Sequence, residues 1–175
     1  MLHRIDEVPL PAPERAGRLF VTNFSAVGPD PQAALDRVGA SLMVCMLTSR
    51  EVELRYPDYA EWLRSHESEI GSGDARAAWL PTPDGGVIAD EPVLELVTAV
   101  VAALDAGDRV LVHCGAGMAR TAVIGILTML AFGADPQQAP IDFRAARPGG
   151  GPDGPPQERQ IARLAERARH LRATS

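Results

Sequence analysis

The residues with the clearest chemical potential lie in RVLVHCGAGMARTAVIGILTML, residues 109–130. Cys114, one of two cysteines in the chain, is followed six positions later by Arg120. A cysteine thiolate is a nucleophile, and the planar guanidinium of an arginine can bind two oxygens of a phosphate group at once. The small residues between them let the backbone N–H groups point to one side and bind an anion: Gly115, Ala116, Gly117, Met118 and Ala119. The spacing therefore predicts a cysteine nucleophile beneath a bound phosphate.

The flanking segments predict how this loop is held. The apolar run at 110–112 predicts a buried strand that leads to His113 and Cys114, and the apolar segment after Arg120 predicts a helix buried nearly all round. A loop between the C-terminal end of a strand and the start of a helix is an anion site in open α/β sheets. The N–H dipoles and Arg120 would stabilise a thiolate at Cys114, and Thr121 could donate its hydroxyl to the sulfur when it leaves.

The rest of the chain alternates between predicted strands and helices. Predicted strands cover LFVTNF (19–24), SLMVCML (41–47), ARAAWL (75–80) and RVLVH (109–113). The first predicted helix begins at Asp30-Pro31, and the next helical region covers part of 49–70 with a break at Pro57. A third helix runs from Glu91 to Gly107, and a fourth follows Arg120. The last two run from Asp135-Pro136 to Ala146 and over 157–171. This alternation predicts a three-layer α/β fold with a central, largely parallel sheet flanked by helices. We expect an irregular N-terminal arm over 1–18 and a single domain over 19–175.

Composition narrows the classes of function. The net charge is −6, with 17 basic and 23 acidic residues, and no basic stripe is visible, so we expect no nucleic-acid or membrane partner. The longest uncharged stretch, 121–134, is too short to span a bilayer, and residues 1–17 lack the apolar core of a signal peptide. Two cysteines do not make a disulfide framework. We therefore expect the protein to be located in the reducing cytoplasm. The four histidines lack ligand spacing, so we expect neither a metal nor another cofactor.

The pattern His-Cys, five residues, Arg-Thr at 113–121 resembles the signature of the cysteine-dependent protein phosphatases. The resemblance extends to four segments that occur in the same order as in dual-specificity and tyrosine phosphatases, with the pattern closest to the kinase-associated phosphatase type. These segments are SLMVCMLTSREVELRYPDYAEWL, WLPTPDGGVIAD, VLVHCGAGMART and RPGGGPDGPPQERQ. The similarity covers about residues 19–171 and implies a phosphatase that works through a phosphocysteine intermediate, on phosphotyrosine and also on phosphoserine and phosphothreonine.

The resemblance also implies roles for residues outside the loop. Asp84 in PTPDGG matches the general acid that protonates the leaving group, although the residues alone also fit an ordinary Asp-Gly turn. Asp90 competes for this role, but it suits the N-cap of the next helix. Gln157 matches a glutamine that orients the hydrolytic water, with Gln160 or a plain surface position as alternatives. His113 is expected to support the cysteine loop through hydrogen bonds.

Several questions stay open at the level of sequence. Arg144 and Arg147 could meet a substrate phosphate or simply end a helix, and Cys45 is either a small buried residue or a redox partner of Cys114. Few aromatic residues and a loop without basic side chains favour a shallow pocket over a phosphotyrosine-only or phosphoinositide site. The partner is then a phosphoprotein or a small phosphomonoester, and the oligomeric state is not indicated. A rhodanese-like sulfurtransferase and a non-catalytic phosphate-binding module are the alternatives.

Overall fold

A five-stranded sheet forms the centre of the computed structural model, which describes residues 4–11, 17–67 and 77–172. The strands lie in the order β1-β2-β5-β3-β4, and only β1 runs antiparallel to its neighbour. Their bounds are β1 Asp6–Val8, β2 Arg18–Asn23, β3 Leu42–Cys45, β4 Ala77–Trp79 and β5 Arg109–Cys114. The predicted α/β fold with a largely parallel sheet is confirmed.

Helices flank this sheet. They are α1 Phe24–Val27, α2 Pro31–Val38, α3 Ser49–Arg55, α4 Pro57–His66, α5 Asp90–Asp105, α6 Arg120–Ala131, α7 Ala139–Ala146 and α8 Gly154–His170. Helix α6 packs against α5, α7 and α8 and against strand β5. Every residue of α6 is buried, which agrees with its apolar sequence, and the neighbouring strand β5 is buried from Val110 onward. The loop at 115–119 that is predicted to bind phosphate therefore connects two largely buried elements, β5 and α6.

Local signals in the sequence explain where several helices begin. The side chain of Asp30 accepts a hydrogen bond from the N–H of Ala33 at 2.9 Å and caps α2. Thr48 and Glu51 form a reciprocal capping box at the start of α3. Pro57 has no N–H to continue α3 and instead occupies the first turn of α4, so the predicted helical region divides there.

The N-terminal arm predicted as irregular contains a strand. Asp6–Val8 pairs with β2, with Asp6 opposite Val21 and Val8 opposite Leu19, and Val8 is buried. A three-residue strand carries too little periodicity to be visible in the sequence. The remaining arm residues 1–3 and 12–16, and residues 68–76 with the start of the predicted strand at 75–80, lie outside the described residues.

Three helix starts differ from prediction. The residues after Asp135-Pro136 form a turn, capped by the Asp135 carboxylate, and α7 begins at Ala139. Helix α8 begins at Gly154, three residues early, because Pro155 and Pro156 are compatible with a first turn. The N-cap of α5 is Ala89 and not Asp90, whose carboxylate is bound instead to side chains of α8.

Candidate active site

The carbonyl groups of the loop after β5 are tied to the surrounding structure. Gly115 O accepts a hydrogen bond from the N–H of Phe24 at 3.0 Å, and Met118 O accepts one from the N–H of Gly151 at 3.2 Å. The two carbonyls between them bind a side chain: Arg147 donates from Nη2 to Ala116 O at 3.1 Å and from Nε to Gly117 O at 3.0 Å. The oxygens of four consecutive peptide groups are thus all bound by other parts of the fold.

The N–H groups of the same peptides must therefore point the opposite way, because a trans peptide directs its N–H and C=O to opposite sides. Within residues 4–11, 17–67 and 77–172, no group accepts a hydrogen bond from the N–H of residues 116–119. Free N–H groups gathered in one loop at the start of a helix form an anion site. The structure thus brings together the loop residues predicted to bind phosphate.

Gly117 is required in this loop for two reasons. Its φ of +70° lies in the left-handed region that favours glycine. A Cβ at this position would also lie 2.2 Å from the backbone oxygen of Thr22 on β2. Any larger residue would therefore push the loop away from the sheet.

Cys114 lies at the end of β5 and at the edge of an open cleft of about 360 Å³. The cleft is also lined by Asp84, Arg120, Gly151, Pro152 and Asp153. Cys114 as a residue is 2% exposed, and it lines this cleft. This placement is the one that the strand-loop-helix pattern predicted.

Arg120 is buried and rigidly held at one edge of its guanidinium. Nη1 and Nη2 donate to the two carboxylate oxygens of Glu51, each at 2.9 Å, and Nη1 also donates to Thr82 O at 2.8 Å. Burial alone would raise the pKa of Glu51, but hydrogen bonds from Arg120 and Thr48 lower it to about 2. The Nε–H has no partner among the described residues. Glu51 and Thr82 thus leave the edge formed by Nε and Nη2 to other partners.

Asp84 contacts that edge. It lies in the turn 83–86, which the N–H of Gly86 closes on Pro83 O at 3.0 Å, and its carboxylate is 3.2 Å from Nη2 of Arg120. The side chain is 85% exposed. Asp84 therefore lies in the cleft with Cys114 and Arg120, in a turn, so both sequence interpretations of this residue are compatible with its position.

Asp90 is unsuited to act as an acid. Arg163 binds its carboxylate through Nε and Nη2, both at 2.9 Å, and Gln160 donates to it at 3.0 Å. These hydrogen bonds lower the pKa of Asp90 to about 2, so it is ionised at any pH near neutrality.

Gln157 is fully buried and links two loops at the cleft. Its Oε1 accepts from the N–H of Asp153 at 2.8 Å, and its Nε2 donates to Gly86 O at 3.2 Å. Gln160, one turn later, is also buried and donates to Ile88 O at 2.8 Å. The alternative of a plain surface glutamine is wrong for both residues. Gln157 connects the turn that carries Asp84 to the loop before α8.

His113 and Thr121 lie next to Cys114 and Arg120 in the chain, and both are fully buried. Nε2 of His113 is 2.6 Å from the hydroxyl of Tyr59, and burial lowers the pKa of His113 to about 3, so the ring is neutral. The hydroxyl of Thr121 has no hydrogen-bond partner in the described part of the chain. A buried hydroxyl without a partner is uncommon in a folded protein.

Cys45 lies on β3 opposite His113, one residue before the level of Cys114. Both cysteines are free thiols. Burial raises the pKa of Cys45 to about 12, so this thiol is unreactive at neutral pH. The observation favours the small buried residue over the redox partner.

Sequence analysis missed Glu51 as part of the site and did not predict the contact of Arg147 with the loop. Glu51 is visible in the sequence only as the fourth residue of a capping box, and its second partner, Arg120, is 69 positions away. Arg147 is 4% exposed and lies beneath the loop, so the hypothesis that it meets a substrate phosphate is wrong.

The described residues contain neither a metal-binding cluster nor a membrane-spanning helix. No group of three or more His, Cys, Asp and Glu side chains is arranged to hold a metal ion. None of the described helices combines the length and apolar character needed to cross a membrane.

The arrangement of strands, helices and loop is that of the cysteine-dependent dual-specificity and tyrosine phosphatases, and the chain has their fold. A kinase-associated phosphatase with serine at the catalytic cysteine aligns with a TM-score of 0.72 and 15% identity over 97% of each chain. A substituted form of human DUSP28 aligns with a TM-score of 0.65 and 21% identity over 98% of each chain. The human tyrosine phosphatase-like serine/threonine/tyrosine-interacting protein aligns with a TM-score of 0.64 and 18% identity over 85% of this chain and 91% of its own. The predicted resemblance is thus confirmed at the level of the fold.

Comparisons of sequence add nothing to this likeness. The chain matches no model of a known protein family and no curated protein.

Proposed function

We propose that the protein hydrolyses phosphomonoesters of proteins through a phosphocysteine intermediate, with Cys114 as the nucleophile. The observation that carries the proposal is the loop at 115–119, whose carbonyls are all bound elsewhere and whose N–H groups from 116 to 119 are free beside Cys114. Such a ring of donors fits the oxygens of a phosphate and stabilises the charge that develops on them in the transition state.

In the first step, the Cys114 thiolate attacks phosphorus while the bond from phosphorus to the ester oxygen breaks. The loop N–H groups and Arg120 bind the three equatorial oxygens. Asp84 donates its proton to the departing oxygen, which leaves as an alcohol or a phenol. The phosphoryl group remains on sulfur.

The contacts of Arg120 support a defined order of events before that step. The edge formed by Nε and Nη2 is the one suited to bind two phosphate oxygens, because Glu51 holds the other edge. The carboxylate of Asp84 lies 3.2 Å from Nη2 on this edge. An entering phosphate therefore replaces Asp84 at Nη2 and releases the carboxyl group to meet the leaving oxygen.

In the second step, water attacks phosphorus, Asp84 accepts its proton, and the phosphorus–sulfur bond breaks. The hydroxyl of Thr121 donates to the departing thiolate, a role supported by its burial without a partner. Gln157 contributes to this step by holding the turn of Asp84 through Gly86, because its amide is buried and bound to Asp153 N–H and Gly86 O. His113 stays neutral and supports the end of β5 through Tyr59.

The cleft supports a broad range of protein substrates. Among its described lining residues, none is aromatic and Arg120 is the one cation. A shallow pocket without an aromatic wall admits phosphoserine and phosphothreonine besides phosphotyrosine. A single cation does not suit a highly phosphorylated lipid. Because the reaction needs a reduced thiol, we propose the cytoplasm as its location.

The test is hydrolysis of p-nitrophenyl phosphate in excess EDTA. The wild-type protein should release phosphate, and Cys114→Ser should not, because an alcohol at this position does not ionise near neutral pH. Cys45→Ala is the matched control and should retain turnover.

Two outcomes would contradict the proposal. Turnover of thiosulfate and cyanide without release of phosphate would indicate a sulfurtransferase, which has no use for Asp84. Binding of tungstate without any turnover would indicate a phosphate-binding module.

A further inference from the structure

A buried arginine lies directly beneath the loop at 115–119. Arg147 follows α7, is 4% exposed, and binds the carbonyls of Ala116 and Gly117 at 3.1 and 3.0 Å. Its Nη1 donates to Asp6 Oδ2 at 2.6 Å, and Asp6 is itself 8% exposed. A buried charge pair of this kind is costly unless it is fully hydrogen-bonded. Here the guanidinium meets that condition by binding the loop.

The N-terminal strand supplies the fixed end of this arrangement. Asp6 belongs to β1, which is hydrogen-bonded to β2. The backbone oxygen of Arg4 accepts from the hydroxyl of Thr22 at 2.7 Å and also faces Nη1 of Arg147 at 3.4 Å. The side chain of Arg4 forms an ion pair with Asp6. Residues 4–8 and β2 therefore hold Arg147 in one position.

We propose that Arg147, anchored by Asp6, is a positioning residue that fixes the direction of two of the phosphate-binding N–H groups. The inference rests on the proposed function, since it assigns a role within the same oxyanion site. Arg147 does not touch the substrate phosphate, because its polar atoms are bound to the loop and to the N-terminal segment.

Peptide geometry connects Arg147 to the anion. In a trans peptide, the oxygen of Ala116 and the N–H of Gly117 point in opposite directions, and the same holds for the oxygen of Gly117 and the N–H of Met118. When Arg147 binds both oxygens, both N–H groups face away from it. Without Arg147, these two peptides could rotate. Gly117, which has a positive φ, lies between them, and glycine allows such a rotation because it adopts many backbone conformations.

The cost of losing this orientation is large for an oxyanion site. Removal of one donor from such a site lowers kcat by about 10²–10³, and a misplacement of about 1 Å can cost about 10². We therefore expect Arg147→Met to lower kcat/KM by about 10² and to weaken tungstate binding by about tenfold or more.

The experiment measures tungstate affinity by calorimetry, kcat and KM on p-nitrophenyl phosphate, and the thermal unfolding midpoint. The variants are Arg147→Met, Arg147→Lys and Asp6→Asn. Arg144→Met is the matched control, because Arg144 is an exposed arginine of α7 that binds Gly150 O at 3.2 Å and not the loop. Lysine lacks the planar guanidinium whose two N–H groups bind both carbonyls at once. Arg147→Lys should thus recover only part of the affinity, and Asp6→Asn should weaken it with the charged arginine still present.

A merely structural role would lower the unfolding midpoint and leave tungstate affinity and kcat unchanged. That result for the folded Arg147 variants would overturn the proposal, as would an equal loss of affinity in Arg144→Met. If Arg147→Met does not fold, Asp6→Asn decides: weaker tungstate binding supports the proposal, and wild-type binding overturns it. A wild-type protein that binds tungstate but releases no phosphate would contradict the proposed function. The tungstate affinities of the variants would still test whether Arg147 positions the loop.

Discussion

His113 should make the stability of the fold depend on pH. The ring is fully buried, and burial lowers its pKa to about 3, from 6.5 for an exposed histidine. The folded protein holds the ring neutral, while the unfolded chain binds a proton at this residue below pH 6.5. The contribution of His113 to the free energy of unfolding is therefore fully present above pH 6.5. It is lost as the pH falls toward the folded pKa.

The two pKa values set the size of the effect. Between pH 7 and pH 5, protonation of the unfolded chain at this one residue lowers the free energy of unfolding by about 2 kcal/mol, with a limiting slope of about 1.4 kcal/mol per pH unit. The total stability of such a domain is about 5–15 kcal/mol, so the loss is measurable.

Urea unfolding at pH 7 and pH 5 tests this reasoning. His113→Asn removes the titrating group and leaves an amide that can meet the hydroxyl of Tyr59, so the variant should lose about 2 kcal/mol less than the wild-type protein over this range. His170→Asn, at the exposed end of α8, is the control and should keep the wild-type dependence. Equal losses in the wild type and His113→Asn would refute the claim that His113 is buried in its neutral form.

Three further predictions concern the cleft. Asp84→Asn should lower kcat/KM on a phosphoserine peptide by about 10²–10⁴ but less on an activated aryl phosphate, because a phenol of low pKa leaves with little help from an acid. Equal, small losses on both substrates in steady-state assays would leave Asp84 as a turn residue. Arg120→Lys should cost about 10² or more in kcat/KM, since a point charge replaces the free planar edge, and retention of more than half the activity would argue against this role. Peroxide treatment followed by peptide mapping should modify Cys114 and leave Cys45 reduced, because burial raises the pKa of Cys45 to about 12; a disulfide between them would contradict this.

The sequence was sufficient for those parts of the molecule that local rules determine. The apolar run before Cys114 and the apolar segment after Arg120 predicted strand β5 and the buried helix α6. Asp30 and Pro57 marked helix starts through capping and the missing N–H of proline. The fold class follows from this alternation.

The parts that sequence reasoning missed depend on pairs that are distant in the chain. Asp6 is 141 positions from Arg147, and Glu51 is 69 positions from Arg120. No periodicity or spacing connects such residues, because their partnership is created by the order of strands in the sheet. The short strand β1 was missed for the same reason, since its place is determined by pairing with β2 and not by its own three residues.

Trapping of the covalent intermediate tests the central claim most directly. The wild-type protein is mixed with an excess of p-nitrophenyl phosphate, quenched in acid within the first turnovers, digested and analysed by mass spectrometry. We predict one phosphoryl group on the peptide that contains Cys114, with none on the same peptide of Cys114→Ser. Steady release of phosphate without any phosphoryl group on Cys114, or with the group on another residue, would contradict the proposed mechanism.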